Sequence, residues 1–126
     1  MGGYLKVLII DDDALIRTLV GMLLNEMGLT DNIWATNGRE ALTLLQRKPT
    51  DLIISGWSMP EMDSLELLNT CKEDPGLKKI PFIIMGSGEE LRAKALEAGA
   101  DAYIVKPFFS EDLQEVLEKL GAWPFP

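Results

Sequence analysis

The chain has 126 residues, 47% hydrophobic and 25% charged, a balance that suits a globular domain and argues against disorder. Its net charge of −8 opposes phosphate backbones and anionic lipids, so neither nucleic acid nor a membrane surface is an expected partner. A single cysteine, Cys71, excludes an internal disulfide, and the absence of histidine removes the usual zinc ligand and the usual general base. No apolar run approaches the roughly 20 residues of a membrane helix. Met1-Gly2-Gly3-Tyr4 lacks the charged-then-apolar pattern of a signal peptide, which makes a cytoplasmic setting the expectation.

In chain order, Val7 to Ile10 reads as a first strand, apolar at every position, as a strand buried on both faces should be. Leu15, Ile16, Leu19, Val20, Leu23, Leu24 and Met27 then recur at helical spacing, and Gly28 is a natural stop. Ile33 to Thr36 predicts a second strand. Asn37 with Glu40 forms a capping box for a second helix, which buries Ala41, Leu44 and Leu45 and breaks at Pro49. Leu52 to Ser55 is a third strand, followed by a helix marked by Leu65, Leu68 and Cys71 and ended by Pro75-Gly76. Phe82 to Met85 is a fourth strand. Ser87 with Glu90 offers a second box for a helix that stops at Gly99. Ala102 to Val105 is the last strand, and Ser110 caps a final helix with Leu113, Val116, Leu117 and Leu120 inward. Gly121 to Pro126 is linker-like in composition and reads either as a tail that packs locally or as the start of a linker. Strict βα alternation with short loops predicts an α/β fold: a parallel sheet, helices on both faces, right-handed connections.

Ligands of open α/β sheets bind outside the carboxyl ends of the strands. The residues there are Asp11, Asp12 and Asp13 after the first strand, Gly56, Trp57 and Ser58 after the third, Gly86, Ser87 and Gly88 after the fourth, and Lys106-Pro107 after the fifth. Two carboxylates about 4 Å apart repel by roughly 4 kcal/mol at an effective dielectric of 20. A hard divalent cation relieves that repulsion, and Lys106 relieves part of it without metal. Helix capping alone accounts for one aspartate and not for three. Gly86-Ser87-Gly88 is too short for a phosphate loop and lacks that loop's lysine. Cys71 falls on a buried helical position and reads as inert core, and Trp34 and Trp57 read as packing residues.

Leu8-Ile9-Ile10-Asp11-Asp12-Asp13, Asp51-Leu52-Ile53-Ile54-Ser55 leading to Met59-Pro60-Glu61-Met62-Asp63, Ala98-Gly99-Ala100-Asp101-Ala102-Tyr103 and Lys106-Pro107-Phe108 together resemble the receiver domain of two-component response regulators. The single-domain chemotaxis type is the nearest in style. The resemblance runs from about Lys6 to Leu120, so residues 1–126 read as one receiver-like domain. It implies a flavodoxin-like (βα)5 sandwich with strand order 2-1-3-4-5, the order of the chemotaxis regulators themselves. It also implies phosphoryl transfer from a partner kinase's phosphohistidine to an aspartate ending the third strand. Mg²⁺ on Asp11 and Asp12 and a grip from Lys106 would assist, with Tyr103 as switch aromatic and Pro107 as a candidate for a cis bond.

Two working positions depart from that pattern. Gly56 stands at the phosphoacceptor, with Met59-Pro60 fixing the register, and Gly86 stands where the family has Thr or Ser. Ser64 replaces the glycine usual after Met62-Asp63. Ser55, Ser58, Asp63 and Ser87 are the substitute acceptors to consider. The expected function is therefore a pseudo-receiver: no catalytic residue, no enzyme activity, Mg²⁺ bound weakly by Asp11 and Asp12, Lys106 balancing charge. Its partner would be a histidine kinase or output protein docking on the fourth helix, fifth strand and fifth helix. The alternatives are a phosphorylation-competent regulator inactivated by substitution at Gly56, and a small Mg²⁺-dependent phosphate-handling α/β domain.

Overall fold

Residues 5–121 are described by the computed structural model; the linker-like tail after Gly121 lies outside them. Five strands, β1 (Lys6–Ile10), β2 (Asp31–Ala35), β3 (Leu52–Gly56), β4 (Phe82–Gly86) and β5 (Ala102–Val105), alternate with α1 (Ala14–Glu26), α2 (Gly38–Arg47), α3 (Ser64–Glu73), α4 (Arg92–Glu97) and α5 (Ser110–Lys119). All strand pairs are parallel, in the order β2-β1-β3-β4-β5. This is the flavodoxin-like arrangement, and its strand order reverses between β1 and β3, which places a ligand crevice at their carboxyl ends.

The period-two alternation of each strand divides the core into two layers. Val7, Ile9, Leu52, Ile54, Ile83, Met85 and Ile104 pack against Leu24 of α1 and Leu113 and Leu117 of α5. Leu8, Ile10, Ile53, Phe82, Ile84 and Tyr103 pack on the opposite face against Ala41 of α2, Leu67, Leu68 and Cys71 of α3 and Ala95 of α4. Among the described residues no helix is long and apolar enough to cross a membrane.

The termini of the helices show which local signals hold. Asn37 Oδ1 accepts the Glu40 N–H at 2.8 Å, as its capping position predicts, but the Glu40 carboxylate accepts the Thr36 N–H at 2.6 Å and not that of the cap residue itself. Gly28 and Gly99 end their helices with φ of 84° and 111°, a region that costs L-residues with a Cβ energy. Two expected caps are corrected. Ser87 caps nothing: the chain makes a single 3-10 turn over Glu89–Leu91 after Gly88, without a side-chain cap, before α4 begins at Arg92. Ser110 is already helical; Phe109 is the cap residue, and Asp112 Oδ2 accepts its N–H at 2.8 Å. β2 begins two residues earlier than its apolar run. Asp31 and Asn32 pair with β1 because an edge strand, wet on one side, does not need apolar residues throughout.

Candidate functional site

β1 and β3 are adjacent and in register, Ile10 beside Ser55, so the residues that follow them emerge together. Asp11 leaves the end of β1 and is almost completely buried. One carboxylate oxygen accepts the Asp13 N–H at 2.9 Å; the other lies 3.5 Å from Lys106 Nζ. Burial pushes the Asp11 carboxyl above its ordinary value, with Asp12 adding to the rise; the Asp13 N–H and the Lys106 ammonium act against it. Lys106 comes from the end of β5, next to a cis bond to Pro107. The Lys106 N–H donates to Gly86 O at 2.7 Å, which ties the ends of β5 and β4.

Gly56 closes β3 inside this cluster. A Cβ built on it would stand 2.5 Å from Asp11 Oδ2 and 3.1 Å from Asp11 Cγ. The Asp11 carboxylate thus fills the space that a side chain at position 56 would enter, and the absence of that side chain allows Asp11 to pair with Lys106 there.

The three consecutive aspartates do not converge. Asp12 is exposed, and Asp13 Oδ1 is engaged as the α1 cap, accepting from Leu15 N at 2.9 Å. Among the described residues no group of three or more carboxylate or thiol side chains could hold a metal ion. Asp11 and Asp13 thus have separate tasks while Asp12 faces solvent, one reason a run that reads as a ligand cluster in sequence separates in space. Of the four substitute acceptors, Ser58 and Ser87 are exposed, and the other two are engaged elsewhere. Ser55 is fully buried and donates to Gly56 O at 3.0 Å, and Asp63 caps α3 by accepting from Glu66 N at 3.0 Å. Burial pushes the Cys71 thiol up to about 11, far from the range of a reactive thiolate.

A second grouping lies at the β4–α4 connection. Tyr103 is buried, its hydroxyl donating to Gly88 O and its ring lying beside Gly86. Arg92 Nη1 donates to Tyr103 O at 3.0 Å, and the guanidinium carbon stands 5.3 Å from the ring centroid. Arg92 also meets both Glu89 oxygens, at 2.7 and 3.0 Å.

Two further contributors lie beside these groupings, and the first, Arg17, carries no signal in the sequence. Arg17 Nη1 donates to Asp11 O at 2.8 Å while its guanidinium lies 4.4 Å over the Trp34 ring. Trp34 is 57% exposed on the edge strand, which corrects its reading as a packing residue. Trp34 lies on an outer strand of the sheet, outside both core clusters, and its indole meets the Arg17 guanidinium there. Ser64, the residue in place of the expected glycine, is buried and donates to Trp57 O at 2.8 Å, which ties the start of α3 to the loop after β3.

A strand order of 2-1-3-4-5 with an acid at the end of β1 facing a lysine at the end of β5 defines the receiver class of α/β proteins. The family model described as the response regulator receiver domain matches residues 7–118, and the chain belongs to that family. It is 34% identical over 119 residues to the chemotaxis protein CheY of Pseudomonas aeruginosa, covering 92% of this chain and 95% of that protein. The structure of chemotaxis response regulator CheY4 of Vibrio cholerae superposes with a TM-score of 0.84 at 31% identity, over 93% of this chain and 98% of that one. The receiver domain of sensor histidine kinase PA1611 from Pseudomonas aeruginosa, which has a magnesium ion coordinated in its active site cleft, superposes with a TM-score of 0.83 over 92% of this chain and 96% of that one. At 21% identity that likeness carries the fold alone.

Proposed function

We propose that this chain is a pseudo-receiver, a signalling module of the receiver fold that works through protein contacts without aspartyl phosphorylation and without enzymatic activity. The observation that carries this reading is the Asp11 carboxylate within 2.5 Å of the missing Cβ of Gly56. An acyl phosphate needs a carboxylate nucleophile reachable by the donor. Position 56 offers none, and its place is taken by an acid that is buried and paired with Lys106.

The site roles follow from that placement. Lys106 balances the charge of Asp11, Tyr103 occupies the switch-aromatic position, and Pro107 holds the turn after β5. Mg²⁺ accepts one or two carboxylates and completes its shell with water, so Asp11 and Asp12 suit it in chemistry. Their number and the competing Lys106 ammonium make the binding weak. When bound, the ion would supply positive charge at the end of β1 and nothing for a phosphoryl group to attach to. The partner is a protein, a histidine kinase or an output protein, meeting the face formed by α4, β5 and α5; exposed Leu96 on α4 gives that face an apolar point. The whole chain acts as one receiver-like unit.

Incubation with acetyl phosphate and Mg²⁺, followed by intact mass spectrometry, tests the reading. No adduct is expected. A stoichiometric gain of about 80 Da that is labile to hydroxylamine, as an acyl phosphate is, would refute it and favour a competent regulator with a relocated acceptor.

A further inference from the structure

The ring of Tyr103 and the missing side chain of Gly86 occupy the same space. A Cβ built on Gly86 would overlap the Tyr103 hydroxyl and come within 2.6 Å of ring Cζ and 2.7 Å of Cε1. These atoms belong to a rigid ring that moves only as a whole, about its bond to β5, so a side chain at position 86 would have to turn the ring out of this place. Any residue but glycine at position 86 is therefore incompatible with the ring where it stands.

The ring is also held from its other sides. Its hydroxyl donates to Gly88 O, two residues beyond Gly86. Arg92, at the start of α4, lies over the ring, donates to the Tyr103 carbonyl at 3.0 Å and grips Glu89 with two nitrogens. The 3-10 turn, the first residue of α4 and the middle of β5 are thereby tied to one side chain. None of these contacts involves Asp11, Lys106 or any other side chain of the acid pocket.

We infer that Gly86 is the residue that keeps Tyr103 in this slot, and that the slot latches the β4–α4 turn to β5 in one arrangement regardless of what the acid pocket binds. The inference rests on the pseudo-receiver reading only for its meaning in signalling: a partner meeting α4, β5 and α5 finds that face preset. Its physical content is a single steric relationship and stands apart from phosphorylation.

The test follows the ring itself. In the parent, NMR should show contacts from the Tyr103 ring to Gly88 and Arg92, unchanged on adding Mg²⁺ and acetyl phosphate. Nitration by tetranitromethane, mapped to Tyr103 by peptide mass, should be slow. Gly86→Thr should abolish those contacts and speed nitration of Tyr103 several-fold, with the circular dichroism of a folded protein. A folded Gly86→Thr variant whose ring stays protected, or a parent ring that nitrates as fast as in denaturant, would overturn the inference. Should Gly86→Thr fail to fold, Gly86→Ala replaces it. That change should lower the denaturation midpoint in the parent and leave it unmoved in a Tyr103→Ala background; equal losses in both backgrounds would overturn the latch. A phosphoryl adduct with the ring unmoved would refute the pseudo-receiver reading and leave the latch standing. A ring freed without any adduct would do the reverse.

Discussion

Asp11 Oδ2 lies where a side chain on Gly56 would begin, 2.5 Å from its Cβ position, and the same oxygen is 3.5 Å from Lys106 Nζ. Residue 56 and Asp11 therefore compete for one volume. Gly56→Asp should force Asp11 to rotate away and weaken its pairing with Lys106. The variant gains roughly 0.5–1 kcal/mol by removing a strand glycine and loses more through a third clustered carboxylate. A net loss of roughly 1–3 kcal/mol in EDTA is expected, a usual size for a buried-site change. Saturating Mg²⁺ should return much of it by binding the folded state. Urea denaturation of both proteins with EDTA and with Mg²⁺ reads the effect. A variant as stable as the parent in EDTA and indifferent to Mg²⁺ would mean that Asp11 and residue 56 do not share a site.

Burial raises the Asp11 carboxyl above its ordinary 3.8 in the folded state. The folded protein then holds a proton that the unfolded chain has released, over a window starting near the ordinary value. The sign follows: stability falls as pH rises through that window, and the cost of ionising Asp11 is fully present above it. Asp11→Asn abolishes this slope. The stability difference between variant and parent, measured from about pH 4 to about pH 7, should grow in favour of the variant and then level off. A difference that is flat with pH would show that the Asp11 carboxyl titrates alike in both states.

Mg²⁺ should bind the parent weakly, because the ion sheds water reluctantly and finds two carboxylates, one of them paired with a lysine. Trp57 follows Gly56 directly and is partly buried, with Lys94 Nζ 6.0 Å from its ring centroid, so its emission reports on this end of the sheet. The other tryptophans, Trp34 and Trp123, are changed to Phe to isolate it. Titration should saturate only at high Mg²⁺ and at lower concentration in Gly56→Asp. Equal affinity in the two proteins would count against the placement of the ion at Asp11 and Asp12.

Asp13 serves α1 and not the pocket. Its Oδ1 accepts the Leu15 N–H at 2.9 Å. Asp13→Ala should cost about 1 kcal/mol, the usual loss of an N-cap, while Asp13→Asn should cost little and leave Mg²⁺ affinity unchanged. Thermal denaturation of both variants, with a Mg²⁺ titration of Asp13→Asn, separates capping from ligation; a fall in affinity in Asp13→Asn would assign Asp13 to the ion.

The strands were readable because their burial is dictated by local pattern. Leu52 to Ser55 and Phe82 to Met85 are apolar almost throughout and stand inside the sheet, and the helical spacing of Leu113 and Leu117 marks the face of α5 that meets the core. What failed was set by distant partners. Ser87 has the spacing of a cap, but the Gly88 carbonyl beside it is bound by Tyr103, and the chain turns there in a 3-10 coil. Trp34 has the composition of a core residue, and only its place on the edge strand exposes it. The identity of Gly56 and Gly86 was plain in the sequence. That Asp11 and Tyr103 lie in the volumes those glycines leave depends on side-chain directions that no periodicity encodes.

Arg17 over Trp34 has a consequence at the scale of many molecules. β2 is an outer strand of the sheet, and its open edge is a place where a second chain can pair. An uncovered indole there would add an apolar contact to that pairing, and the guanidinium lying 4.4 Å over the ring puts a hydrated charge in its way. Arg17 is thus a guard on the colloidal behaviour of concentrated solutions. Its loss would appear in light scattering as attraction between molecules, beside the stability that goes with its hydrogen bond to Asp11 O.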